Sequence, residues 1–231
     1  MSLPEIKYLL TDAGKTLDFI YKSYEESLDK PEVSIALRIK IKHFLEDVKS
    51  SLDYMGYHIF TNYCTQELSQ KKYEELVGWV YFPNKKYKDP FDTYIKKYYP
   101  NLKETYPDIV DIFESVQPFT ETKWYSNLNE LVNKNKYRHL TKQQRNQTTH
   151  VHYGQIGGVT LENVSFVNCG VPISYNDTPI DFVKPSPYDN QFIADATIEF
   201  IFKDLNLSVI PTLNEIYTGA NTVIKNIEKH L

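Results

Sequence analysis

The sequence predicts an α+β protein. Residues 1–145 read as an N-terminal helical bundle, and residues 146–231 as a small, mostly antiparallel sheet with a C-terminal helix, packed on the bundle. Three observations predict this. Leu37, Ile41, Phe44, Val48, Leu52, Met55 and Ile59 step by threes and fours without a miss, the spacing of one helix face. After about Gln147 the helical period is lost. Val151, Tyr153, Ile156, Val159, Val164, Phe166 and Val167 follow instead, interrupted by Gly154, Gly157 and Gly158. Finally, Phe192 to Asp204 alternates, with Ile193, Ala196 and Ile198 set against Thr197, Glu199 and Lys203.

Taken in order, Pro4 to Leu28 is a first helix, with Leu9, Leu10, Leu17, Ile20, Tyr21, Tyr24 and Leu28 near helical spacing. Pro31 breaks it and suits the opening turn of the next. The second helix, from Glu32 to about Tyr63, is roughly 48 Å long at 1.5 Å per residue, and a rod of that length needs neighbours along it. Gly56, inside it, allows close approach by another element. Phe82 to Pro90 is a loop with a proline at each end. Asp89-Pro90 starts a helix through Tyr98, and Pro107 to Ser115 is another. Thr122 stands where a cap belongs for a helix that buries Trp124, Leu128, Leu131 and Val132. Gly157-Gly158 reads as a hairpin turn, and Asn176-Asp177 as a loop tip. Pro211 opens a final helix with Leu213, Ile216, Tyr217, Val223, Ile224 and Ile227, available to pack on the sheet.

Composition narrows the function classes. Hydrophobic residues at 41% and charged residues at 24% are ordinary for a globular chain. The formal net charge of −4 argues against a protein coated in nucleic acid. No apolar run approaches the roughly 20 residues that a membrane-spanning helix needs. Cys64 and Cys169 stand far apart in no metal spacing, which points to a reducing, cytoplasmic setting. No nucleotide-binding glycine fingerprint, nucleophile elbow or zinc cysteine pair is present, so no cofactor is called for.

Against this acidic background, Asn133 to Thr149 contains no acid and carries Lys134, Lys136, Arg138, Lys142 and Arg145, with His139 beside them. Such a segment either faces an anion, a small ligand or RNA, or fills a polar seam of the fold. Within it and just beyond, Arg145 and His150 form an R-x4-H string. This string resembles the active motif of HEPN domains, helical bundles that include metal-independent ribonucleases. The resemblance implies that Arg145 holds a scissile phosphate and His150 serves as general acid or base. The strand-like sequel Val151-His152-Tyr153 favours instead an exposed connector between bundle and sheet.

A second set of motifs covers more of the chain. Lys49-Ser50-Ser51-Leu52-Asp53-Tyr54 lies on the long helix, followed by Phe82-Pro83, Gln117-Pro118-Phe119, Trp124 to Leu128, and Asn133, Asn135, Lys136, Tyr137 and Arg138. This order resembles a group of uncharacterised bacterial proteins with a HEPN-like helical half and a β-rich C-terminal half. The group's pattern has Arg where this chain has Lys49, and His at Tyr54 and Tyr137. The resemblance implies the architecture and carries no activity with it.

The candidate binding surface is therefore Asn133, Asn135, Lys136, Arg138 and His139, with Asp53 and Tyr54 nearby. Asp53 sits at the edge of the apolar stripe and needs a cation or several donors there, so a salt-bridged lock to Lys136 or Arg138 is expected. His150 and His152 alternate as metal ligands can, but Glu162 is the nearest third ligand and no metal site is assigned. The reading that follows is a cytosolic, non-catalytic binding or interaction module. The alternatives are a ribonuclease using Arg145 and His150, or a structural subunit that dimerises through the bundle.

Overall fold

The computed structural model describes residues 2–28, 30, 32–137, 140–156, 158–168, 174–175, 178–179 and 193–231. Among these, eight helices and six strands form an α+β fold, as the sequence predicts. The chain divides into two compact units. One holds residues up to Glu25, Ser34–Thr141 and Ile210–Leu231; the other holds Glu26–Val33 and Lys142–Val209.

The first unit is helical. α1 (Leu3–Glu25) lies along α2 (Ile35–Tyr63), and α2 along α7 (Trp124–Tyr137). α2 starts three residues later than Glu32, because Ser34 takes the cap position and its Oγ accepts the Leu37 N–H at 3.2 Å. The predicted stripe of α2 is the core: Leu37, Ile41, Phe44, Val48, Leu52, Met55 and Ile59 are each no more than 2% exposed. Gly56 does admit close approach. A Cβ there would lie 2.6 Å from the Tyr99 hydroxyl and 3.0 Å from the Phe82 nitrogen. α4 (Lys88–Tyr98), the short α5 (Leu102–Thr105) and α6 (Pro107–Ser115) follow the prolines. α3 (Gln70–Val77) was not foreshadowed by periodicity, since Leu76 is its one buried residue.

The last helix, α8 (Val209–Lys229), falls with the other helices from Ile210 onward. The Tyr217 ring lies 6.3 Å from Phe44 of α2, Glu228 pairs with Lys7 of α1 at 2.9 Å, and His230 just beyond α8 meets Asp108 of α6 at 3.3 Å. Its apolar stripe was legible, but a stripe does not say which apolar surface will cover it.

The second unit is built on a four-stranded sheet of order β2-β1-β5-β6, antiparallel at every pairing. Its strands are β1 (Gln143–Ile156), β2 (Val159–Val167), β5 (Ile193–Phe202) and β6 (Leu207–Ser208). β3 (Ser174–Tyr175) and β4 (Thr178–Pro179) pair separately. The expected loop tip Asn176-Asp177 lies outside the described residues. β1 and β2 meet through Ile156↔Val159, and Gly158 at φ +84° takes a turn conformation that suits glycine.

Two expectations change here. β1 begins at Gln143, so Arg145 to His150 runs inside a strand and is not a connector. Its amides and threonines carry little strand signal of their own. The pairing is supplied across the ladder, where Arg145 faces Phe200 and Gln143 faces Phe202, both phenylalanines fully buried. Ile193 does not share a face with Ala196 and Ile198. An odd offset from both puts it with Thr197 and Glu199, and it is 64% exposed.

Candidate functional site

The motif residues of the helical unit converge on one loop, Val80 to Tyr87, between α3 and α4. Its centre is buried, with Phe82 2% exposed. The Phe82 ring stands edge-on to Phe113 at 4.9 Å and to Tyr125 at 5.3 Å. A buried loop must satisfy its peptide groups, and this one does so with side chains. The Asp53 Oδ1 accepts the Phe82 N–H at 3.2 Å, and the Tyr125 hydroxyl donates to the Phe82 carbonyl at 3.2 Å. Gln117, fully buried, donates to the Pro83 carbonyl at 2.8 Å and to the Phe113 carbonyl at 2.7 Å. Its Oε1 accepts the Lys85 N–H at 2.9 Å. The Tyr94 hydroxyl accepts the Tyr81 N–H at 3.1 Å and donates to the Tyr81 carbonyl at 3.0 Å, where the Tyr99 hydroxyl also donates at 3.0 Å.

Asp53 is therefore the acid of a lock, though not the expected one. Its carboxylate pairs with Lys49, one turn back on α2, at 2.5 Å. Lys136 is exposed and makes no ion pair among the described residues, while Arg138 and His139 lie outside them. The physical reason is proximity: residues four apart on a helix are already neighbours. Burial pushes the Tyr94 hydroxyl up to about 12, and the Asp53 charge adds to the rise. Tyr99 and Tyr125 are held well above the ordinary tyrosine value, again by burial first, with Asp53 contributing. All three phenols thus stay neutral and able to donate.

Two cavities beside this loop contain residues singled out in the sequence. Asn133 lines one of about 580 Å³, with Asn84, Lys86, Pro118, Ser126, Asn129, Glu130 and Lys134. Asn129 is only 9% exposed and donates to the Tyr125 carbonyl at 2.7 Å. The Ser126 Oγ is buried there with no hydrogen-bond partner among the described residues. Lys134 pairs with Glu130 at 2.8 Å, and Lys86 is exposed. Asp53 and Tyr54 line a different cavity of about 290 Å³. Asn135 belongs to neither; its Oδ1 accepts the Thr141 N–H at 2.8 Å and fastens the chain leaving α7. The predicted set is thus divided, and sequence reasoning missed Asn84, Lys86 and Asn129. Gln117, Tyr125 and Ser126 lie within the motifs given above, with no role assigned to them. Pro83, beside Asn84, and Pro118, beside Gln117, were the available signal.

Arg145 and His150 do not form a pair. Five residues apart on β1, they emerge on opposite faces, roughly 16 Å apart along the strand. The Arg145 Nε donates to the Leu28 carbonyl at 3.2 Å and its Nη1 to Gln147 at 2.8 Å. The His150 Nδ1 lies 2.8 Å from the Ser165 Oγ. His150 and His152 share a face, rings 4.4 Å apart, and the His152 Nε2 lies 2.7 Å from the Asp195 carboxylate. No group of ligands able to hold a metal occurs among the described residues. Nor is any helix among them long and apolar enough to cross a membrane. No protein-family model, no curated protein and no solved structure matches the chain.

Proposed function

We propose that the protein is a non-catalytic binding module whose helical unit takes a small, polar, anionic ligand in the cavity beside Asn133. The observation that carries this is the lining around about 580 Å³: three carboxamides, the exposed Lys86, the Lys134–Glu130 pair, and a buried Ser126 Oγ with no hydrogen-bond partner among the described residues. That volume is in the range of small-molecule sites. The Lys86 ammonium attracts phosphate or carboxylate, while Asn84 and Asn133 offer both donors and acceptors to a polar ligand body and Asn129 adds its amide oxygen. Gln117 and Asp53 hold the loop that carries Asn84 and Lys86, so part of the ordering cost is met before the ligand arrives. On this reading, the HEPN-like order of motifs marks a shared scaffold and not a shared reaction.

The test is calorimetric titration of the full chain with AMP at low salt, against adenosine as the uncharged control. AMP is expected to bind at least about tenfold more tightly, with affinity falling as salt rises. Lys86→Ala and Asn133→Ala should each weaken it while leaving the melting midpoint unchanged. Failure of AMP, ribose 5-phosphate and citrate all to bind overturns the proposal, as does binding that ignores both substitutions. Single-stranded RNA incubated in excess chelator should remain intact. Cleavage lost in both Arg145→Ala and His150→Ala would replace this reading with a ribonuclease.

A further inference from the structure

The smaller cavity has the opposite chemistry. Tyr54, Tyr57, Tyr81, Val77 and Val80 form its walls, and Asp53 supplies its one carboxylate; no lysine or arginine lines it. We infer that this is a second binding site, for a small organic cation of the alkylated-ammonium class. The inference is independent of the anion site proposed above.

The argument begins with the carboxylate. Lys49 and the Phe82 N–H both bond to Oδ1, and Oδ2 has no hydrogen-bond partner among the described residues. A neutral apolar occupant would strip water from that oxygen and return nothing. An anion would find no cation on the walls, since the nearby Lys49 ammonium is already bound to Asp53. A bare metal ion would find a single carboxylate where it needs several ligands. An alkylated ammonium satisfies every wall at once, because its methyl groups pack on valine and ring surface. Its charge is of the sign that tyrosine rings and the Asp53 carboxylate attract, shared there with Lys49.

The surrounding surface already uses this chemistry on its own side chains. The Lys85 ammonium sits 4.3 Å from the Tyr94 ring centroid, and that of Lys97 lies 4.9 Å from Tyr98. The volume of about 290 Å³ fits a headgroup-sized ligand and not a nucleotide. Access is direct, since Tyr54 is 39% exposed and Tyr81 54% exposed. The site is also shaped before binding, because hydrogen bonds from Tyr94 and Tyr99 hold the Tyr81 backbone.

The experiment uses the full chain and three probes at matched ionic strength: tetramethylammonium, choline, and 3,3-dimethyl-1-butanol, the uncharged isostere of choline. Binding is read from chemical-shift changes of the tyrosine rings. Saturable shifts at Tyr54 and Tyr81 are expected with both cations, and affinity about tenfold lower for the alcohol. Tyr54→Leu and Tyr81→Leu should each weaken choline about fivefold with the melting midpoint unchanged, since both side chains are largely exposed. Asp53→Asn keeps an acceptor for the Phe82 N–H and should weaken choline but not the alcohol. Equal affinity for choline and the alcohol overturns the inference in favour of a plain apolar pocket. Absence of saturable shifts with either cation overturns it outright, and so does choline binding untouched by both tyrosine substitutions.

Discussion

Val80 and Tyr81 line the cavity beside Asp53, while Asn84 and Lys86, a few residues further along the same loop, line the cavity beside Asn133. One cavity is aromatic with a carboxylate; the other is rich in amides and carries Lys86 and the Lys134–Glu130 pair. The backbone between them, Phe82-Pro83, belongs to neither and is buried. The contrast teaches how one short segment serves two chemistries. Its centre is held by Asp53, Tyr125 and Gln117, so the flanking side chains are presented to different surroundings without disturbing each other. The loop acts as a shared wall, and its two sides should respond differently when particular struts are removed.

The largest effect should come from the shared centre. Phe82→Ala removes a buried ring packed on two others and should cost about 3–5 kcal/mol. It should also impair choline and AMP binding together. Urea unfolding measures the first effect and titration the second; a loss under about 1 kcal/mol would mean the loop is not the common support. Gln117→Ala leaves the Pro83 and Phe113 carbonyls and the Lys85 N–H without their partner, which should cost about 2–3 kcal/mol. Because its contacts lie on the Asn84 side, AMP binding should suffer far more than choline binding. Equal damage to both would break the proposed separation.

A smaller effect tests the lock. A double-mutant cycle between Asp53 and Lys49, side chains 24% and 17% exposed, should show coupling of about 0.5–1 kcal/mol. The cycle between Asp53 and Lys136 should show none. The last effect is silent at neutral pH. Tyr94 keeps its proton in the folded chain to about 12, whereas an unfolded tyrosine ionises near 10. The folded state then binds more protons over that window. Its contribution to stability is complete below about pH 10 and is lost as pH rises toward 12. Unfolding free energy measured from pH 8 to 11 should fall above 10, and less steeply in Tyr94→Phe.

Much of the fold was determined locally. The stripe of α2 needs only a period of three and four, and Pro107 marks the start of α6 as a proline at a first helical turn does. The pairing of Lys49 with Asp53 was equally local, since helical spacing alone brings them together; the more distant bases Lys136 and Arg138 drew the reading away from it. Other features existed only in the tertiary structure. β1 extends back to Gln143 because β5 supplies Phe200 and Phe202 opposite residues with weak strand preference of their own. α8 joins the helices because its stripe meets Phe44, a choice no stripe encodes alone. The division of Asp53 and Asn133 between two cavities depends on a loop whose peptide groups are bonded by side chains from α2, α4, α7 and the turn after α6. Those partners are up to 43 residues away in sequence. Local periodicity records which face of an element is apolar. It does not record which distant donor will reach a given carbonyl, because that is settled only when the core closes around it.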